Sequence, residues 1–346
     1  MPELMNAVVL EQFGEPEVLS NVTEVRVPRP ADNEILVEVR ACGVCYLDSI
    51  VRAGVRPGIE LPLILGHEIA GTVAETGAAV VGFRAGDRVA STYRAVCGHC
   101  YYCRAENSAL CINVEAAGVD RDGGYAQYVV LPESSLSKVP DGVSDEEATI
   151  AGCVLGAVYK GVVDKGRVRA GDNVLVTGSG GGAGIHSVQL AANSGARVIA
   201  ATTSPGKVDA IKAAGADDVV VGSEDEVVER VKELTEGRGA EVVLDTVGKA
   251  TSRTSFRCLA RGGRLVFIGE LGVEPVKVSV PRMLYRETEI YGVASPTAGE
   301  LTTILTLIEQ GKIKPAIGTT LPLAEAATAH EMLRTHSNIG RTVLRV

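Results

Sequence analysis

The stretch that most constrains this chain is Val174 to Gly184, reading Val-Leu-Val-Thr-Gly-Ser-Gly-Gly-Gly-Ala-Gly. Its first residues are β-branched and apolar, which predicts a buried strand. The chain then becomes nearly pure glycine, and Ile185 to Ala192 resumes with helical spacing. Strand, glycines and helix in that order make a phosphate-binding turn. A Cβ would hold the backbone away from a pyrophosphate, and the helix that follows offers free N–H groups and the positive end of its dipole. Gly178, Gly180 and Ala183 fit G-x-G-x-x-G/A, while Gly181, Gly182 and Gly184 give a second, overlapping register. A dinucleotide-binding βαβ unit is expected here.

The flanking patterns differ. Before residue 150 the chain is β-rich, with short runs at Ala7–Leu10, Ile35–Val39 and Ala70–Glu75 set between Pro and Gly punctuation. After about residue 152, strand-like runs at 174–177, 197–201, 219–221, 242–245 and 264–268 alternate with helical stretches, as a parallel sheet requires. From about 296 the rhythm breaks, and a helix is expected over Glu300–Glu309. With 346 residues and 46% hydrophobic content, two medium domains with sizeable cores are expected. The net charge of -9 without a basic block argues against a nucleic-acid or membrane partner, and no apolar run is long enough to span a bilayer. Met1-Pro2-Glu3-Leu4 has no basic or apolar leader pattern, so a cytoplasmic setting is expected.

In such a setting the eight cysteines favour metal binding or catalysis over disulfides. Cys97, Cys100, Cys103 and Cys111 form C-x2-C-x2-C-x7-C. Four such thiolates can close a tetrahedral shell around one structural Zn²⁺, although spacing alone leaves iron open. His99 lies inside that lobe and is expected at the surface. Cys45, His67 and Cys153 are dispersed, and each taken singly reads as core packing. His186 is expected packed or hydrogen-bonded, His330 and His336 at the surface, and Cys258 as a small buried hydrophobe.

Several motifs together resemble the zinc-containing medium-chain dehydrogenase/reductases, the alcohol dehydrogenase family. They are Ala41-Cys42-Gly43-Val44-Cys45, Gly66-His67-Glu68, the cysteine lobe, Asp122-Gly123-Gly124-Tyr125-Ala126-Gln127-Tyr128, the glycine turn and Gly262-Gly263-Arg264-Leu265. The resemblance spans essentially the whole chain. It implies an α/β fold: a GroES-like β-rich catalytic domain (1–152, with a structural zinc lobe at 97–111), a Rossmann doubly wound parallel sheet (153–295, opening on Cys153), and a C-terminal return to the catalytic domain (296–346). It also implies a second zinc, held by Cys45, His67 and Cys153 with an open fourth position suited to polarising an oxygen. Glu68 and Asp48 match supporting positions, Asp48 accepting from the His67 ring. Cys42 makes C-x2-C with Cys45 but is not a ligand in the family. Gly269, Val293 and Arg341 match positions lining the nicotinamide and phosphates. An assembly of two or four copies is expected.

One departure matters. Where many alcohol dehydrogenases carry a Ser or Thr that relays the alcohol proton, this chain has Leu47, preceded by Tyr46. The archaeal acryloyl-CoA reductases of the same family also lack that hydroxyl. The second domain resembles theirs in Tyr159-Lys160-Gly161, Gly182-Ala183-Gly184-Ile185-His186, Ala201-Thr202-Thr203-Ser204 and Leu244-Asp245-Thr246-Val247-Gly248, as does Gly311-Lys312-Ile313-Lys314-Pro315.

Charge decides the expected cofactor. An NAD site wants an acid about 20 residues after the glycine turn. Here Thr202-Thr203-Ser204-Pro205-Gly206-Lys207 stands there, with Thr203, Ser204 and Lys207 suited to a 2′-phosphate, so NADP(H) is expected. The leading reading is hydride transfer between NADP(H) and a small carbonyl or alcohol substrate held at zinc, with Tyr46 or water as proton relay. The alternative is reduction of a 2-enoyl-CoA. A redox-inactive NADPH-binding zinc protein is a third, which the open metal site argues against.

Overall fold

The computed structural model describes residues 2–105, 107–272 and 274–346. Met1, from the leader reading, Glu106, inside the cysteine lobe, and Val273 lie outside them. The described chain forms two compact units, Met1–Gly156 with Ser295–Val346, and Ala157–Ala294. Among the described residues no helix is long and apolar enough to cross a membrane.

The first unit is built on a seven-stranded sheet. Its strands run in the order Leu136–Lys138, Arg88–Ser91, Glu68–Thr76, Glu34–Val44, Arg341–Arg345 and Ile317–Pro322, with Tyr128–Pro132 also paired to Glu34–Val44. Glu34–Val44 is the organising strand. Its apolar residues Ile35, Leu36, Val37, Val39 and Val44 are all buried, and it pairs with three neighbours. The C-terminal segment joins the same core: Arg341–Arg345 pairs antiparallel with it, Leu344 opposite Cys42. A smaller sheet, Val22–Arg26, Leu4–Leu10 and Leu63–Ile64, packs Val8, Leu10 and Ile64 into the same cluster. The predicted helix is observed over Ala298–Glu309, started by a capping box between Thr297 and Glu300.

Cys153 lies in this first unit, not at the start of the second as the sequence reading had it. It sits in a π-helical turn, Ala151–Leu155. Gly152 presses that turn onto the strand Arg88–Ser91: a Cβ there would lie 1.8 Å from the Ser91 carbonyl oxygen.

The second unit is a six-stranded, all-parallel sheet in the order Asp218–Val221, Arg197–Thr202, Asn173–Val176, Ala240–Asp245, Leu259–Phe267, Glu289–Gly292. The order reverses beside Asn173–Val176, the crevice where open α/β sheets bind ligands. The sixth strand, Glu-Ile-Tyr-Gly, escaped the sequence reading because it is short and half-buried. The helix after the glycine turn runs Gly182–Asn193 and buries Ile185, Val188, Leu190 and Ala191.

Candidate active site

The donor cluster in the first unit begins at the end of the organising strand. Cys45 caps the helix Tyr46–Arg52, whose first turn carries Asp48. Asp48 Oδ2 accepts the Cys45 backbone N–H at 2.9 Å, and its Oδ1 lies 2.9 Å from His67 Nδ1. An ionised carboxylate only accepts, so His67 Nδ1 carries the hydrogen and its Nε2 lone pair is turned toward the sulfurs. Nε2 stands 3.5 Å from the Cys153 sulfur. One donor atom from each of Cys45, His67, Glu68 and Cys153 lies within 4.8 Å of all the others.

Glu68 belongs to this cluster but faces another partner. Both of its oxygens are engaged by the Arg341 guanidinium, Nε to Oε2 at 2.9 Å and the terminal nitrogen to Oε1. Both side chains are buried. Gly43 makes the space: a Cβ there would lie 2.2 Å from Glu68 Oε2. With Glu68 so engaged, two sulfurs and one nitrogen remain, a donor set that suits Zn²⁺ with an open fourth position. The Cys45 thiol is held well below its ordinary range, first by the Cys153 thiol hydrogen bond and further by Arg341 and His67; burial opposes this.

The four-cysteine lobe fits a closed shell. The sulfurs of Cys100 and Cys103 are 3.5 Å apart, Cys100 and Cys111 3.9 Å, and Cys97 and Cys111 3.5 Å. A tetrahedron with Zn–S bonds of about 2.3 Å has edges of about 3.8 Å. Backbone N–H groups of Cys103 and Ile112 bring the Cys100 thiol down to about 6, ready to serve as thiolate. His99 is exposed, its ring within 2.7 Å of the Cys97 carbonyl.

In the second unit, Gly178 has φ +62°, and a Cβ on Gly184 would lie 2.1 Å from the Gly178 carbonyl oxygen. The turn therefore needs both glycines. Lys207 reaches back over it: a Cβ on Gly180 would meet the lysine's Cδ at 2.4 Å. Thr203 is exposed, Ser204 and Lys207 are half-buried, and no acid stands in that loop. A Cβ on Gly269 would meet the Thr246 carbonyl at 2.5 Å, and the Val293 N–H bonds the Phe267 carbonyl at 3.2 Å. Gly181, Gly182 and Ala183 begin the helix. Arg341, matched in sequence to a phosphate-facing position, is engaged with Glu68 in the first unit.

Two groups were missed in the sequence. Buried Asp245 accepts the N–H groups of Val247 and Gly248 and the hydroxyls of Thr177, Thr251 and Ser255, fixing the loop 246–248. His330, expected at the surface, is fully buried. Arg52 Nε–H donates to its Nδ1 at 3.2 Å, so Nε2 carries the hydrogen toward the Tyr125 hydroxyl, 3.1 Å away. That hydroxyl is 3.5 Å from Asp48 Oδ2, so the polar chain ends beside the His67 support. The signal was present: Ala326, Ala329, His330 and Leu333 all share the buried face of one helix. His186 is buried, its Nδ1 2.6 Å from the Gly182 carbonyl, Cys42 and Cys258 are buried, and His336 is exposed.

Comparison with known proteins identifies the family. Residues 31–141 match the alcohol dehydrogenase GroES-like domain, and residues 182–310 the zinc-binding dehydrogenase family. The chain is 38% identical over 326 residues to the acryloyl-coenzyme A reductase of Metallosphaera sedula, covering 93% of this chain and 95% of that one. The crystal structure of AibC superposes with a TM-score of 0.92 at 41% identity, covering 99% of this chain and 96% of the other. An NAD-dependent alcohol dehydrogenase structure superposes at 0.91 with 37% identity, covering 99% and 100%. The chain belongs to the zinc-binding alcohol dehydrogenase family of medium-chain dehydrogenase/reductases, an oxidoreductase with a GroES-like domain and a Rossmann domain.

Proposed function

We propose that this protein reduces the carbon–carbon double bond of a 2-enoyl thioester with hydride from NADPH, using one zinc at Cys45, His67 and Cys153 and a second, structural zinc in the cysteine lobe. The observation that carries this reading is Leu47. It follows Cys45 by two residues, on the first turn of the helix, and packs against the core of the first unit. Alcohol oxidation must export a hydroxyl proton, and leucine offers no path. Hydride delivery to Cβ of an enoyl thioester needs a proton at Cα and no alcohol relay. The acryloyl-coenzyme A reductase among the relatives supports the same choice.

When bound, the metal would supply Lewis acidity toward the thioester carbonyl oxygen. The chain supplies the rest. Asp48 holds the His67 ring in one orientation, and the Glu68–Arg341 pair keeps a carboxylate beside the donors without spending it as a ligand. Gly178 and Gly184 bring the backbone N–H groups close to the cofactor pyrophosphate. Lys207, with Thr203 and Ser204, faces the 2′-phosphate, and the absence of an acid in that loop favours NADPH over NADH. Gly269, Val293 and the glycines 180–182 with Ala183 line the cofactor. A cytoplasmic dimer or tetramer completes the proposal.

A second reading stays in view because an alcohol dehydrogenase superposes over 99% of this chain. In it the substrate is an alcohol or carbonyl, and Tyr46 or water moves the proton. Oxidation of NADPH and of NADH, scanned over short 2-enoyl-CoA esters, aldehydes and ketones, separates the two. Turnover confined to aldehydes and ketones would overturn the enoyl reading.

A further inference from the structure

A cavity of about 580 Å³ lies on the second unit, between the helix Lys249–Cys258 and the short helix Val280–Arg286. None of the residues assigned to the cofactor lines it. Phe256, Leu259 and Met283 give it an apolar surface, and Ser252 and Thr288 add hydroxyls. Among the described residues, six cationic side chains and no carboxylate line it. Three of the six are neutralised from outside: Lys249 by Glu274 at 2.9 Å, and Arg253 and Arg257 by Glu224 at 3.2 and 3.0 Å. The other three, Lys277, Arg282 and Arg286, have no carboxylate partner among the described residues.

Arg282 and Arg286 each donate one terminal N–H to a carbonyl, that of Phe256 and that of Leu259, both at 3.0 Å. Among the described residues Arg286 Nε is buried and finds no partner. Burial, followed by the like charges of Arg282 and Arg261, holds the Arg286 guanidinium below its usual range. A chain with net charge -9 thus gathers unneutralised cations around one concave, partly apolar space. Lys277 and Arg282 are exposed, and an anion would relieve both the unpaired Nε of Arg286 and the mutual repulsion of the cations. An apolar surface ringed by cations suits a flat heteroaromatic ring that carries several phosphates.

We propose that this cavity binds a phosphorylated adenosine, supplied by the 3′-phosphoadenosine diphosphate end of the substrate's coenzyme A. The nucleotide class rests on the cavity alone; coenzyme A as its source rests on the enoyl-thioester reading.

The test uses the full-length, zinc-loaded protein saturated with NADP⁺, so that the cofactor's own adenosine site is filled. Adenosine 3′,5′-bisphosphate is titrated calorimetrically into wild type and into Arg282→Gln/Arg286→Gln, with Lys277→Gln as a milder variant should the double variant lose stability. One-site binding by wild type, weakened about 10-fold or more in the variants, is expected from the loss of charge-assisted contacts. No binding, or equal affinity in every variant, overturns the site. In the second arm, kcat/KM is compared for an enoyl-CoA and the matching enoyl-pantetheine thioester. Wild type should prefer the coenzyme A ester, and the variants should shrink that preference about 10-fold. Intact nucleotide binding with no preference between the thioesters overturns coenzyme A as the source. Intact binding with neither thioester turned over sinks the enoyl reading and leaves the nucleotide site standing.

Discussion

Replacing Glu68 by Gln should destabilise the first unit more than any surface change. Glu68 opens the strand Glu68–Thr76, Arg341 opens the strand Arg341–Arg345, and 273 residues separate them. Both side chains are almost wholly inaccessible, at 0% and 8%. Glutamine keeps the shape but removes the charge, and turns at least one N–H toward a guanidinium that also donates. A buried ion left without its partner typically costs about 3–5 kcal/mol. The first unit holds roughly 200 residues. For a domain of that size each kcal/mol moves Tm by about 2–4 °C, so a fall on the order of 10 °C is expected. Arg341→Met should fall similarly. Glu68→Met/Arg341→Met removes both ions and should recover most of the loss, because a buried pair adds little net stability over apolar packing. Scanning calorimetry of wild type, Glu68→Met, Arg341→Met and the double variant, with Glu68→Gln beside them and each checked for equal zinc content, closes the cycle. A fall below about 2 °C in Glu68→Gln, or additive losses in the double variant, would refute the argument that the pair is a desolvated, mutually dependent contact.

Asp48→Asn should speed loss of metal from the Cys45–His67–Cys153 site to a chelator by about 10- to 100-fold, since the carboxylate fixes the ring hydrogen of His67. Release kinetics that match wild type would show the orientation is set elsewhere. For His330, burial is the main cause that brings the ring down to about 4. The unfolded chain takes up its proton near 6.5, so between 6.5 and 4 the unfolded state binds more protons, and stability falls as pH falls. That window is worth about 3 kcal/mol, and denaturant titrations of His330→Gln should show a flatter pH dependence than wild type. An unchanged slope would mean that His330 is protonated in the fold. Cys103→Ser should lower stability and zinc stoichiometry together, as loss of a structural ligand removes folding free energy; metal analysis at the wild-type ratio would contradict a four-thiolate shell.

How much of this protein could be read without its fold follows from the range over which each signal acts. The glycine turn is local: strand, sharp turn and helix occupy neighbouring residues, and Gly184 answers a clash with the carbonyl of Gly178, six residues before it. The cysteine lobe is local too, its four sulfurs arising within fifteen residues of chain. Alternating strand and helix patterns announced the parallel sheet, because period tells which face of an element is buried. Period does not tell what lies against that face. The short strand Glu289–Gly292 and the return of Arg341–Arg345 beside Glu34–Val44 are matters of pairing, decided by the whole core. Cys153 meets His67 across 86 residues only because Gly152 lets a π-turn lie on a neighbouring strand. In sequence the three dispersed donors stood out by family resemblance alone. His330 shows the same limit from the other side. A histidine near polar neighbours reads as solvated, yet the helix face it shares with Ala326, Ala329 and Leu333 buries it, and there Tyr125, Arg52 and Ser49, brought from distant segments, meet its two nitrogens.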